Sequence, residues 1–171
     1  MEPKTKRIAL ATLFGAIIFL SKVVVPSPID KMFIGVHALL LALGALLLRR
    51  MGGTHVAIVG GFLTALWRIS FASFTFIFAL LYGLFVDLFF FVFKVNTTED
   101  KVKTSRLVVT MTVSTALVGL ISYYTTVFPF GLLPRNPMLE LSILVIGALN
   151  GSVAGYFASI MWNKYLKKAK L

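Results

Sequence analysis

The sequence predicts an all-α membrane protein of six transmembrane helices with both termini cytoplasmic, and three observations lead there. Its 171 residues are 58% hydrophobic and 13% charged, with a mean hydropathy of +0.93, a balance foreign to a soluble globular domain of this size. The apolar residues fall into six runs, each near the length that crosses about 30 Å of hydrocarbon at 1.5 Å rise per residue. Thirteen of the seventeen lysines and arginines then gather beside one set of run ends: Lys4, Lys6, Arg7, Arg49, Arg50, Lys94, Lys101, Lys103, Arg106, Lys164, Lys167, Lys168 and Lys170. Cations flanking apolar helices stay on the side of insertion, so these mark the cytoplasmic face, and Lys22, Lys31, Arg68 and Arg135 lie opposite. The formal charge of +11 is therefore a topology signal, not a nucleic-acid footprint;. The whole chain, 1–171, reads as one domain.

The two runs within 33–71 fold back on each other about Arg49-Arg50-Met51-Gly52-Gly53, and this cytoplasmic turn orients the rest;. The first helix, about 7–25, follows a basic stretch and reads as a retained span, because no small-residue cleavage site precedes the next run. Ala11 and Gly15, and Thr12 and Ala16, recur at four-residue spacing on adjacent faces, which lets another helix approach closely. That approach serves either packing within the chain or docking on another subunit. Pro26 and Pro28 then forbid helical continuation and make an external loop, long enough to cover a pocket.

The second helix, about 32–48, runs inward with His37 near its outer end. The third, about 54–69, returns outward with Gly60, Thr64 and Arg68 on one stripe that should face protein or water; Trp67 and Arg68 lie at its outer end and His55 near its inner end;. The fourth, about 72–94, is crowded with phenylalanine and aligns Ala79, Gly83 and Asp87 on its close-packed face. A carboxylate within a span costs about 2.5–3.5 kcal/mol on insertion scales, so Asp87 needs a partner, His55 among the candidates, or a ligand or proton role. The hydrophilic stretch 95–105 is a solvated cytoplasmic loop. The fifth helix, about 106–128, is rich in Thr and Ser, whose hydroxyls bond back along the helix or across to neighbours. Tyr123 and Tyr124 at its outer end either anchor the interface or wall an outward-facing pocket. After a second external loop, 129–137, the sixth helix, about 138–164, carries Glu140 in its first turn, the ladder Gly147, Gly151 and Gly155, and Asn150 beside it near the midplane, where an amide must find a hydrogen-bond partner.

Several chemistries are absent from the sequence. It has no cysteine, and it shows no Walker, GxSxG or HExxH pattern. Two histidines 18 positions apart and near opposite faces make no metal pair, and neither metal nor cofactor is expected;. Six spans without nested repeats also fall short of the inverted-repeat secondary transporters, so a partner subunit is the natural supplement.

Ala11 and Gly15, Pro26 to Pro28, Gly35-Val36-His37-Ala38 leading to Arg50-Met51-Gly52-Gly53, Leu81-Tyr82-Gly83-Leu84-Phe85-Val86-Asp87, and Gly147 to Gly155 follow in an order, and on a topology, that resembles the substrate-binding S component of an energy-coupling factor (ECF) transporter. The resemblance covers essentially the whole chain. It implies a non-enzymatic, high-affinity binder of a water-soluble vitamin or similar micronutrient in a prokaryotic plasma membrane. The pocket would open outward among helices 4 to 6 beneath the loop after helix 1, and the chain would dock on a transmembrane coupling subunit driven by two ATPases. In that family the first-helix docking motif is typically Ala-xxx-Ala; here Ala11 and Gly15 take its place. With that prior, the polar and aromatic residues of the outer half are the expected substrate contacts: His37, Trp67, Arg68, Tyr123, Tyr124, Glu140 and Asn150. Aromatic rings would stack on a flat heterocycle, Arg68 would hold an anionic group, and Asn150 would meet a ring edge. Two other classes stay open: a small membrane enzyme using Asp87, His55 or His37 as acid or base, and an assembly or scaffold subunit whose glycines serve only helix packing.

Overall fold

In the computed structural model six α-helices follow one another: α1 (Pro3–Val24), α2 (Ile34–Leu48), α3 (Gly52–Trp67), α4 (Ala72–Val92), α5 (Thr104–Val127) and α6 (Pro137–Met161), the last running on into a π-helical turn, Trp162–Leu166. The structure describes residues 3–24, 34–48, 51–67, 69, 72–95, 101–128, 131 and 134–166. The prolines Pro26 and Pro28, Lys31, the Arg49-Arg50 pair, Arg68 and the final lysines, Lys167, Lys168 and Lys170, lie outside the described residues. Among the described residues four stretches are long and apolar enough to cross a membrane, Thr5–Val24, Ala72–Val92, Thr104–Val127 and Pro137–Leu166, while Ile34–Leu48 and Gly52–Trp67 are apolar but shorter.

The shortest helix is the central one. α2 packs against α1, α3, α4, α5 and α6, and eleven of its fifteen residues are buried. Leucines cover every side of it, with Ala38, Ala42, Gly44 and Ala45 between them, so it offers each neighbour an apolar surface, the pattern of a helix enclosed all round;. The helices around it turn large apolar side chains outward: Leu13 and Leu20 on α1, Leu88 and Phe91 on α4, Leu149 and Phe157 on α6. Phe91 is 82% exposed. An apolar belt of this extent is the surface a protein presents to lipid.

Small residues form the seams. On α3 and α4, Gly53, Ala57 and Gly61 meet Asp87, Gly83 and Ala79 in antiparallel register; a Cβ on Gly61 would stand 2.6 Å from that of Ala79, and one on Gly83 2.8 Å from the Gly53 carbonyl oxygen. On α5 and α6 the predicted ladder Gly147, Gly151 and Gly155 lies against Ala116, Thr112 and Val108, again antiparallel. Hydroxyls lace the same seam: Thr112 Oγ1 and Ser152 Oγ are 2.8 Å apart, and Thr104 Oγ1 and Ser159 Oγ 2.7 Å. Thr110, Thr112, Ser114 and Thr115 also donate back to carbonyls four residues earlier, as their place in an apolar helix requires;. The stripe expected on α3 faces protein at both described positions, Gly60 and Thr64, with Thr64 Oγ1 donating to the Gly60 carbonyl at 2.6 Å.

This register brings the starts of α1, α3 and α5 and the ends of α2, α4 and α6 to one end of the bundle. Lys6, Arg7, Lys94, Lys101, Lys103, Arg106 and Lys164 all belong to that basic end. Here α4 closes in a Schellman motif: Lys94 N–H donates to the Phe91 carbonyl at 3.1 Å, Val95 N–H to Phe90 at 2.9 Å, and Lys94 takes φ +50°;. The buried Val95 and Phe90 supply the apolar contact that accompanies the motif;. Arg106 Nη1 donates to the Lys94 carbonyl at 3.0 Å, and Asn163, within the π turn, holds the strand of chain before α5 by exchanging two hydrogen bonds with the Val102 backbone, at 2.8 and 3.0 Å. Lysine is the wrong residue for a left-handed backbone. Lys94→Gly is expected to stabilise the protein by about 1 kcal/mol, read as a raised midpoint in thermal unfolding of the detergent-purified chain.

α3 begins two residues earlier than the sequence suggests. Gly52 and Gly53, expected in a hinge, form its first turn. The reason lies on another helix. Asp87 accepts from Gly53 N–H at 3.0 Å, Thr54 N–H at 2.7 Å and Thr54 Oγ1 at 2.6 Å, so a carboxylate from α4 caps α3 and satisfies the amides that a new helix leaves open;.

Candidate functional site

At the far end of the bundle, opposite the basic one, a polar set is drawn into the apolar interior. His37 sits in the first turn of α2 yet is only 7% exposed. Its Nε2 lies 2.8 Å from Ser21 Oγ, and that hydroxyl donates to the Ile18 carbonyl at 2.7 Å. A hydroxyl has one proton and a carbonyl can only accept, so the proton between the two side chains belongs to Nε2. His37 is thereby held as a donor and does not activate Ser21. Beside it, Lys22, Tyr82, Ile18 and Leu41 help line a space of about 40 Å³ between α1, α2, α3 and α4. Tyr82, the lone tyrosine among the phenylalanines of α4, ties the same space to α5 through Thr115 Oγ1 at 2.7 Å.

A second cluster joins α5 to α6. The Tyr124 hydroxyl donates to Glu140 Oε1. Tyr123 Oη donates to the Asn136 carbonyl at 3.1 Å and accepts the Asn136 N–H at 2.9 Å. Asn136 in turn caps α6, its side chain accepting from Met138 N–H at 3.0 Å, with Pro137 at the first helical position and Glu140 in the first turn;. The two tyrosine rings stand 5.6 Å apart, centroid to centroid, and Tyr124 also stacks on Phe128. Three of the expected site residues, Tyr123, Tyr124 and Glu140, thus form one aromatic and acidic wall.

The others are distributed. Asn150 Nδ2 donates along its own helix to the Ile146 carbonyl at 2.9 Å, and its Oδ1 faces α2 at Gly35, where a Cβ would fall 2.8 Å away. Gly35 and His37 are two positions apart, about 200° around a helix, so the first turn of α2 separates the Asn150 contact from the His37 cavity. Trp67, 63% exposed, joins neither group. Arg68 lies outside the described residues. Of the expected docking pair, Gly15 is closed against α3, a Cβ there standing 2.7 Å from Val59, and Ala11 is buried beside it. Sequence reading overlooked Ser21, Lys22, Tyr82 and Thr115. The available signal was chemical contrast, a cation and hydroxyls within otherwise apolar runs.

Asp87 and His55 are not paired by a hydrogen bond. The Asp87 carboxylate is engaged by the α3 amides, and His55 Nδ1 lies 2.6 Å from the Met51 carbonyl, which fixes that nitrogen as the protonated one;. Among the described residues no group of three or more His, Asp or Glu side chains could hold a metal ion.

Among the described residues, an all-helical bundle with four membrane-length apolar helices and a lipid-facing apolar belt has the character of an integral membrane protein. No protein-family model, curated protein or solved structure matches the chain.

Proposed function

We propose that the chain spans a prokaryotic plasma membrane six times with both termini cytoplasmic, and that it is the substrate-binding S component of an ECF-type importer, capturing a water-soluble vitamin or related micronutrient. The gathering of cations at one end of the bundle supports the orientation, with the basic end in the cytoplasm;. The observation that carries the functional reading is the His37 cluster. Ionisable and hydroxylic side chains inside an apolar bundle are costly, and here His37, Lys22 and Tyr82 line one small space between the helices, with Ser21 hydrogen-bonded to His37 beside it;.

That space has room for about one to three water molecules, whereas a drug- or vitamin-sized solute fills roughly 300–1,000 Å³. Loading therefore requires the far ends of α1, α2 and α4 to part around these side chains. A transmembrane coupling subunit and two ATPases complete the importer. With Gly15 closed against α3, docking falls to the exposed flank of α1 that carries Leu13, Ile17 and Leu20. A non-enzymatic role fits the hydrogen bonding: Asp87 is consumed in capping α3 and His37 donates to Ser21 rather than accepting from it.

The test is native mass spectrometry with small-molecule extraction on the detergent-purified chain expressed alone in rich medium. One vitamin-like solute per chain is expected, and His37→Ala is expected to lower its retention about tenfold, the loss of roughly one charge-assisted or two neutral hydrogen bonds. An empty protein showing no thermal shift with a vitamin panel would overturn the reading in favour of an assembly subunit.

A further inference from the structure

A groove of about 370 Å³ opens at the basic end between α1 and α3 and shares no lining residue with the His37 cavity. Ile8, Ala11, Ile58 and Val59 form its walls, and Arg7 and His55 stand among its lining residues. The two helices run parallel here. Gly15 meets Val59 and Gly60, so the groove extends about 12 Å down α1 from that contact to Arg7, at 1.5 Å per residue;. Arg7 and His55 thus mark its lower end, with Lys6 alongside in the same exposed first turns of α1. The upper part is apolar: Ile58 is exposed and Val59 half-buried.

We infer that this groove holds an anionic phospholipid, its phosphate against Arg7 and its acyl chain between α1 and α3. Charge complementarity selects the occupant. A cleft with apolar walls and a cationic lower end, placed where a membrane-length helix reaches the interface, matches an amphiphile with a negative head and an apolar tail, and basic pockets between membrane helices take anionic headgroups;. A soluble anion would leave the apolar walls uncovered, and a neutral lipid would leave the arginine uncompensated. His55 adds to the site as a positioned ring: with Nδ1–H committed to the Met51 carbonyl, Nε2 is its one remaining polar atom;. The inference rests on the membrane character of the chain and not on solute capture, so a protein that binds no vitamin would still retain the lipid.

The experiment is a lipid titration of the delipidated, detergent-purified full chain, followed by native mass spectrometry, with palmitoyl-oleoyl phosphatidylglycerol and the matching phosphatidylcholine as probes. Retention of one phosphatidylglycerol in clear preference to phosphatidylcholine is expected. Arg7→Gln should weaken phosphatidylglycerol about fivefold, the effect of one cation at a lipid surface, and leave phosphatidylcholine unchanged. Thr12→Trp, at an exposed position lining the groove, should reduce retention by filling it; circular dichroism checks that both variants remain folded. Equal retention of the two lipids, or no response to Arg7→Gln, would overturn the assignment. A response to Arg7→Gln with none to Thr12→Trp would place the lipid on the basic surface and overturn the groove.

Discussion

Replacing Asp87 by alanine is expected to destabilise the protein by about 2–4 kcal/mol, a loss read in thermal or chemical unfolding of the detergent-purified chain. Three donors converge on this carboxylate, the Gly53 and Thr54 amides and the Thr54 hydroxyl. All three belong to the first turn of α3, where a negative charge also complements the helix dipole. Alanine would strand those amides in a seam of backbone and small side chains. Asp87→Asn keeps one acceptor oxygen and loses the charge, so a smaller cost of about 1–2 kcal/mol is expected. Solute retention by Asp87→Asn protein should match that of the unaltered chain. Unchanged stability in Asp87→Ala would remove the capping role and return Asp87 to the candidates for proton chemistry.

The second large effect is expected at Gly151. A Cβ there would fall on the Met111 carbonyl and stand 2.8 Å from the Thr112 Cα. These are backbone atoms, so no rotamer change relieves the clash, and α5 and α6 must separate along the ladder. Gly151→Ala is expected to cost about 1–3 kcal/mol, and Gly151→Leu to abolish recovery of folded protein. Gly119 is the internal control. A Cβ there would meet only the movable Ile143 Cγ2, at 3.2 Å, so Gly119→Ala is expected to be neutral or stabilising through the roughly 1 kcal/mol helix preference of alanine over glycine. Equal melting temperatures for the two alanine variants would show that glycine content, and not the close approach of α5, accounts for the ladder.

Both positions stand out in the sequence, but for incomplete reasons. The four-residue spacing of Gly147, Gly151 and Gly155 identifies a close-packing face because side chains four apart share one side of a helix. That it meets α5 follows only from the fold. Asp87 is conspicuous as a carboxylate in an apolar run, yet its partners lie 33 and 34 positions earlier in the chain. Two of the three donors are backbone amides, which no residue pattern advertises. The hinge assigned to Gly52 and Gly53 became helix for the same reason.

Helix number, order and approximate ends were legible in the chain, since a backbone that must satisfy its own hydrogen bonds inside lipid has the α-helix as its economical solution, and runs of apolar residues mark its length. Segregated cations likewise marked one end of the bundle. The site was less legible. Tyr123, Tyr124 and Glu140 meet because two consecutive helices pack closely, a neighbour relation the sequence suggests; His37 and Asn150 lie on different sides of α2 because that helix is central. Nothing in a run of leucines reveals centrality, for lipid and protein interior are equally apolar and a buried helix reads like a lipid-facing one. Only the tertiary packing decided which faces of α1 and α2 are enclosed, that Gly15 serves α3, and that Ser21, Lys22 and Tyr82 surround His37.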